Sequence, residues 1–435
     1  MSTSQLFQTF LNNIRISNSD TISMRYEEIT SCLNKNFRDS DSKTANSLQV
    51  GSYGRWTAID GISDLDMLYI LPDNLWDEYN ISGGQSKLLT KVKDAIQARY
   101  PRTTVKVDRL VVRVLYADFH IEVQPVFEEN DGNFVYPDTK NGGSWKTTKP
   151  RKEIAAMKEF VDTKNSSLRH LCKMTRAWKN EYGVQMGGLL IDTLAYNFLK
   201  STDVYDNKSY LYYDELNRDF YDFLANQEDR EHYKALGSGQ NVKVKKKFQK
   251  AAQAAYELCL EAIDNIGTEK ETDIWRELFG KSFPKLSSLT EAAFISKSHI
   301  GWTNTEEFIE DKFPVDIRYD LQIDCSVSQK GFRENSLLWY ISHKVFLLPD
   351  KDLLFEVVSN NIPSDIPYKL FWKVLNRGDV ARQKKEIRGQ ILDDNGSESR
   401  RETTSFRGEH LVECYAVSNG VVVARGRISV PIIGK

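Results

Sequence analysis

The feature that most constrains this chain is a pair of aspartates, Asp64 and Asp66, two residues apart in the apolar run SDLDMLYILP. Residues two apart on a β-strand point to the same face. Both carboxylates therefore project from one side of the strand, and Leu65 and Met67 from the other. Just upstream, VGSYGR places Gly51 and Ser52 in a tight turn. A Gly-containing turn at the start of a helix offers backbone N–H groups to phosphate, and the serine hydroxyl adds a donor. Arg55 follows as a further phosphate-binding candidate. A third acid comes from later in the chain. VVRVLY and FHIEVQPVF read as a hairpin turning near Ala117 and Asp118. In its second strand His120, Glu122 and Gln124 share one face and Phe119, Ile121 and Val123 the other. If this strand lies in the same sheet as the first, Glu122 joins Asp64 and Asp66. Three carboxylates so close repel one another unless a cation compensates. Mg²⁺ suits such an oxygen-only set, with Mn²⁺ as the alternative, and two ions can clamp the attacking hydroxyl and the leaving pyrophosphate of an in-line displacement. Singly, Gly-Ser is a common turn and Asp-x-Asp occurs in many solvated strands; the ordered combination is what points to phosphoryl chemistry.

The length of 435 residues allows two or more domains with sizeable cores. Lys plus Arg number 59 and Asp plus Glu 61, a net charge of −2. A chain so balanced is no general polyanion binder, so a phosphate site must be a local basic cluster. The opening MSTSQLFQTFLNNIR lacks a basic n-region and an apolar h-region, and no apolar run approaches the roughly 20 residues of a membrane span. Neither a signal peptide nor a membrane partner is expected. The five cysteines are scattered, odd in number and without a CxxC pair, which fits a reduced, cytoplasmic setting.

Apolar spacing predicts a helix over 22–37 opening near Asp20, and a second from Lys87 to Tyr100, stopped by Pro101. Residues 129–150 read as a polar, Gly-rich loop. From 151 to 310 the pattern is mainly helical. Within it, KVKKKFQKAAQAAYELCLEAI reads as a long helix whose basic first half is a solvated face. From about Phe313 short alternating segments take over: VDIRYDLQID, SLLWYIS, YKLFWKVLN, HLVECYAV and VVVARGRISV. Asn419-Gly420, between the last two, is a hairpin-turn signal. The expected organisation is 1–150, a catalytic core with an N-terminal helix; 151–310, a helical lobe completing the cleft; and 311–435, an all-β sandwich.

SLRHLCKMTRAWKNEYG carries two helical stripes. Leu168, Leu171, Thr175, Trp178 and Tyr182 form a core face; Arg169, Lys173, Arg176 and Asn180 form a basic face beside it. The basic face can grip a triphosphate or simply solubilise the helix, and the pattern leaves both open. Asp192, inside GGLLIDTLAYNFL, is either a buried acid bonded to backbone or arginine, or a nucleotide contact. Trp145 can stack on a base or cover the core.

GSYGRWTAIDGISDLDM resembles the GS-x(n)-DxD motif of DNA polymerase β-like nucleotidyltransferases. It is similar above all to the bacterial cGAS/DncV-like enzymes (CD-NTases, SMODS) of CBASS antiphage systems. HIEVQPVF resembles that family's third-acid strand, with Glu122 where the family more often has Asp. The resemblance implies an α+β fold: a polymerase β-like core with a helical lobe, then a C-terminal β-sandwich. It implies a Mg²⁺-dependent synthase joining NTPs, ATP first with GTP or others as alternatives, into a cyclic di- or trinucleotide that activates a separately encoded effector. Asp64, Asp66 and Glu122 become the catalytic and metal-binding set, and Gly51, Ser52, Arg55, Lys173, Arg176 and Asp192 the nucleotide-binding set. FWKVLNRGDVARQKKEIRGQI and GEHLVECYAVSNGVVVARGRI resemble the AGS-C sensor domain. A nucleotide ligand there would meet Trp372, Asn376, Arg377, Arg388 and His410. Some family members are conjugated through the C-terminus by a ubiquitin-transfer-like partner; here the final pair is Gly434-Lys435. Two alternatives share the catalytic residues: a linear oligonucleotide synthetase or transferase acting on RNA, and a catalytically silent nucleotide sensor. The second predicts a missing carboxylate, and none is missing.

Overall fold

A computed structural model describes residues 3–61, 64–206, 208–286, 307, 309, 312–313, 315–329, 334–343, 345, 347–376, 380–381, 388–404 and 407–432. They divide into two units, one of residues 1–26 and 49–300, the other of 27–48 and 301–435. The division falls inside a helix, α2 (Ser19–Arg38), which follows α1 (Thr3–Asn13) and covers the segment where periodicity predicts a helix.

The first unit is organised by a sheet. Its strands are the end of β1 (Ser47–Gln49, of which Gln49 belongs to this unit), β2 (Asp64–Ile70), β3 (Thr104–Asp108), β4 (Val111–Leu115), β5 (His120–Glu128), β6 (Phe134–Asp138) and β7 (Ser144–Thr148). The order is β1-β2-β5-β4-β3, and β6 pairs with both β5 and β7. One-turn α3 (Gly51–Gly54) separates β1 from β2. β2 and β5 are parallel neighbours, which requires a crossover. Short α4 (Trp76–Tyr79) and α5 (Gly84–Arg99) begin it, and α5 buries Leu88, Leu89, Val92 and Ile96 over the sheet. Residues 129–150 are not a loop but hold the β6–β7 hairpin. Its outer face is solvated, which makes the sequence look like a connection. Phe134 and Asp138 face inward, and Asp138 accepts from Arg109 Nε and Nη2 at 2.7 Å each. With Lys146 alongside, these contacts hold the Asp138 carboxyl well below the usual range.

The rest of the unit is helical: α6 (Pro150–Thr163), α7 (Leu168–Tyr182), α8 (Gly188–Lys200), α9 (Tyr213–Ala225), α10 (Gln249–Asp264) and α11 (Glu269–Phe279). α6 opens with proline at its first position, where the missing N–H costs nothing. α7 ends at Gly183 in the left-handed region. Phe7 and Phe10 of α1 pack on Trp275, Phe279 and Phe283, with ring centroids 4.8–6.5 Å apart. The basic run 243–247 is not helical. A hairpin, β8 (His232–Lys234) and β9 (Asn241–Lys243), carries its start, and α10 begins only at Gln249.

The second unit contains β10 (Val315–Ser328), β11 (Asn335–Ser336), β12 (Asp352–Asn360), β13 (Lys369–Leu375), β14 (Arg388–Asp393), β15 (Ser399–Thr403), β16 (Gly408–Ser418) and β17 (Val421–Ile432). β10 is shared: residues 315–320 run parallel to β17, and 321–328 run antiparallel to β12. One apolar cluster takes residues from both arms, including Phe355 of β12 and Trp372 of β13. Asn419 and Gly420 both have positive φ, 48° and 73°, as the β16–β17 turn requires. SLLWYIS is not a strand. It forms α12 (Leu337–Ser342), capped by Ser336, whose hydroxyl accepts from Trp339 N at 3.1 Å. Residues 27–48 pack within this unit: Glu27 Oε1 lies 2.8 Å from Arg425 Nη2 and 3.7 Å from Arg427 Nη1, and Ser42 bonds Asp320.

Candidate active site

The parallel register of β2 and β5 sets Asp64 beside His120 and Asp66 beside Glu122. These four side chains share one face. Leu65, Met67, Ile121 and Val123 fill the core on the other. Asp66 is half-buried, and burial, then the charges of Asp64 and Glu122, push its carboxyl up to about 7 against a weaker opposing pull from Arg55. The charges of Asp64 and Glu122 thus both act on Asp66.

Gly51 is fixed at this position by two demands. Its φ is +65°, and a Cβ there would stand 1.9 Å from Asp66 Oδ2. Only glycine lets the turn pass so close to the carboxylate. Val50 N donates to Asp66 O at 3.0 Å, so the turn is tied to β2 at the acid itself. Ser52 O accepts from Thr57 N at 2.9 Å and Ala58 N at 3.2 Å, which closes the loop behind it.

Behind the turn lies a buried ionic network. Asp192 Oδ2 accepts from Arg55 Nε at 2.9 Å, Thr57 Oγ1 at 3.1 Å and Arg176 Nη2 at 2.9 Å; Oδ1 accepts from Arg176 Nη1 at 2.6 Å. Burial alone would raise the Asp192 carboxyl, yet the two guanidinium groups hold it below its usual value. Arg55 also reaches Glu153, at 3.4 Å, and Arg176 reaches the carbonyls of Cys172 and Gly188. Of the two readings of Asp192, the buried acid bonded to arginine is the geometry found. Arg176 does not stand on an exposed basic stripe: it is buried and committed to Asp192. Arg169 lies over the Trp56 ring, 4.4 Å from its centroid.

Gly51, Ser52, Asp64, Asp66 and Glu122 line one cleft of about 810 Å³, with edges of Arg55 and Arg176. That volume suits a nucleotide, since small-molecule sites span about 300–1,000 Å³. Lys173 and Asp192 are not among its described lining residues. Lys179 and Lys245 are, and sequence reasoning missed both. Burial first, then Arg176 and Lys245, lower the Lys179 ammonium's pKa against the pull of Asp64. Tyr136, Thr147, Thr148 and Gln240 also border the cleft. Trp145 does not. It packs on Trp76 and Phe127, with centroids 5.0 and 5.7 Å away, so it covers the core.

The donor set is all carboxylate oxygen, which fits a hard ion such as Mg²⁺. Among the described residues, no three acidic, histidine or cysteine side chains converge tightly enough to cage an ion. Glu122 is instead engaged by Arg113 of β4. All five cysteines are free, and among the described residues no helix is long and apolar enough to cross a membrane.

In the second unit Trp372 is 2% exposed and donates to Asp394 at 3.0 Å, so its ring is no stacking platform. Asn376, Arg388 and His410 line a cavity of about 100 Å³, well short of nucleotide size. Arg388 is paired with Glu402 at 2.5 and 2.9 Å. Arg377, Gly434 and Lys435 lie outside the described residues.

Residues 1–160 match the family model for the Second Messenger Oligonucleotide or Dinucleotide Synthetase domain (SMODS). Residues 303–433 match that for the Adenylyl/Guanylyl and SMODS C-terminal sensor domain (AGS_C). A cyclic AMP-AMP-AMP synthase of Acinetobacter sp. is 24% identical over 257 residues, covering 55% of this chain and 72% of the relative. Among solved structures, the E. coli MS115-1 CdnC:HORMA-deltaN complex is similar at 14% identity and a TM-score of 0.47, over 64% of this chain and 98% of the other. Vibrio cholerae DncV cyclic AMP-GMP synthase is similar at 13% identity and 0.43, over 55% and 69%. The chain thus carries a Second Messenger Oligonucleotide or Dinucleotide Synthetase domain followed by an Adenylyl/Guanylyl and SMODS C-terminal sensor domain, and over 55% of its length it is similar to a cyclic oligonucleotide synthase.

Proposed function

We propose that this chain joins NTPs into a cyclic di- or trinucleotide, releasing pyrophosphate at each bond. The observation that carries the reading is the meeting, in one cleft, of the Gly51-Ser52 turn, the acids Asp64, Asp66 and Glu122, and the cations Lys179 and Lys245. The turn receives the triphosphate through backbone N–H groups and the Ser52 hydroxyl. Lys179 and Lys245 offset its charge, helped by Arg55 and Arg176 edges left over from the buried network. Asp64, Asp66 and Glu122 would hold Mg²⁺, with Mn²⁺ as a substitute. Bound there, the ions would supply charge neutralisation for the phosphates and lower the pKa of the attacking hydroxyl. A ribose hydroxyl oxygen bonds to the α-phosphorus, the bridge to the β-phosphate breaks, and the hydroxyl proton passes to a carboxylate of the acidic set. The relative that makes cyclic AMP-AMP-AMP makes ATP the first substrate to try. The product would act in the cytoplasm as a messenger for a separately encoded antiphage effector.

The test is incubation of the full chain with each labelled NTP, alone and mixed, with Mg²⁺ or Mn²⁺. A phosphatase-resistant product with pyrophosphate release, lost in Asp64→Ala and Asp66→Ala, is expected. Resistance to exonuclease separates a ring from a linear oligonucleotide. No resistant product under any NTP combination, or product unaffected by the two substitutions, sinks the proposal.

A further inference from the structure

Glu122 has a cation against it from the neighbouring strand. β4 and β5 pair antiparallel with Arg113 directly opposite Glu122. Arg113 Nε donates to Glu122 Oε1 at 2.8 Å, and Nη2 lies 2.7 Å from the same oxygen. Its third nitrogen, Nη1, lies 3.1 Å from Asp108 Oδ2 on β3, which steadies the guanidinium from the far side. His120 Nε2 approaches Glu122 Oε1 as well, at 3.4 Å. The acid is thus drawn sideways along the sheet toward β4, while Asp66 stands beside it on β2. The additional methylene of a glutamate gives that sideways reach; an aspartate on the same backbone is shorter by about 1.5 Å.

We propose that Arg113 is a positioning residue that holds the Glu122 carboxylate away from Asp64 and Asp66 until a divalent cation takes it over. The inference rests on the reading of these three acids as cation ligands. It follows from placement and charge: Arg113 and His120 meet the same oxygen, Oε1, on the β4 side, so swinging the carboxylate across the sheet toward Asp66 stretches those contacts, and the guanidinium competes with an ion for its charge. Asp64 and Asp66 then form the standing part of the site, and Glu122 closes it on loading. Removing Arg113 releases Glu122 and tightens cation binding before any nucleotide arrives.

The experiment measures Mn²⁺ binding to the nucleotide-free full chain by electron paramagnetic resonance of free Mn²⁺. Arg113→Gln is expected to bind Mn²⁺ roughly tenfold more tightly than wild type, the scale of one partly exposed charge-assisted pair. Glu122→Asp cannot span to Arg113, so adding Arg113→Gln to that variant should change affinity by less than about threefold. This cycle separates positioning through Glu122 from the general effect of deleting a nearby positive charge, which would appear equally in both backgrounds. Arg113 is partly solvent-exposed, and a thermal melt of each variant in EDTA checks folding; Arg113→Lys serves as a second variant, keeping the charge but not the two-donor grip, and should also tighten binding. Unchanged affinity in Arg113→Gln, or equal gains in both backgrounds, overturns the inference while leaving the proposed function standing. Mn²⁺ binding that is absent, or indifferent to Asp64→Ala, overturns the cation reading itself and the inference with it.

Discussion

Asp192→Ala is the sharpest test of how the site is held together. The carboxylate is fully buried and takes four hydrogen bonds, one from Arg55, one from Thr57 and two from Arg176. Its removal strands two guanidinium groups in the protein interior, with Glu153 and backbone carbonyls as remaining partners. Breaking a buried ion pair by deleting one member costs about 3–5 kcal/mol, because the remaining charge is uncompensated. A loss of about 4 kcal/mol corresponds to a fall in Tm of roughly 8–16 °C for a unit of this size. Differential scanning calorimetry of the full chain reads the effect on the first unit's transition. The double variant Asp192→Ala/Arg176→Met removes one of the stranded cations with the acid, so it should cost clearly less than the two single changes added together. A loss below about 1 kcal/mol for Asp192→Ala, or strict additivity in the double variant, would refute the reasoning that charge compensation sets the energy here.

Three further outcomes are expected. Gly51→Ala forces a methyl group into Asp66 Oδ2 and strains a φ of +65°; nucleotide affinity, followed by equilibrium dialysis, should fall at least about tenfold through displacement of the turn. Asp66 has a folded value of about 7 against 3.8 unfolded, so the folded state holds the extra proton between those values. Its contribution to stability is full below the unfolded value and is lost as pH rises through 7. In EDTA, unfolding free energy should drop by about 1–3 kcal/mol between pH 5 and 8 after allowance for solvent access, and Asp66→Asn should flatten that slope in urea melts. Lys179→Gln and Lys245→Gln should each raise KM for NTP by about tenfold, since each removes one cation from the lining of the cleft. Steady-state pyrophosphate release would show it, and unchanged KM in both would remove them from the site.

The acids were legible because a strand's period is two: Asp64 and Asp66 must share a face, and so must His120 and Glu122. The Gly-Ser turn was legible through its composition. What covers a face was not. The stripe on α7 places Arg169, Lys173 and Arg176 side by side, but periodicity along one helix does not reveal that Asp192 of α8 lies against Arg176. Lys179 follows Arg176 by three residues, so the signal for it was present in the same stripe. Lys245 had no such signal, because a contiguous lysine run has no period and fits strand, loop and helix equally. The β6–β7 hairpin looked like loop because its outer face is polar, although the Asn141-Gly142 pair at its tip marked a turn. Trp372 shows the same limit: alternation places it on a face, and only the tertiary fold says that the face is inward.

Residues 27–48 carry a consequence for how such chains can be divided and recombined. They come early in the sequence, yet they pack with the C-terminal strands, and the next residues are β1's last member and the Gly51-Ser52 turn. The second unit is therefore not a cassette attached at one point. A stop codon near residue 301 would strip Glu27 of Arg425 and Arg427 and leave 22 residues of the remaining chain without the unit they fold with. An exchange of sensor domains between two such proteins would need to carry this early segment across as well, and the seam of every successful chimaera would pass within a few residues of the Gly51-Ser52 turn.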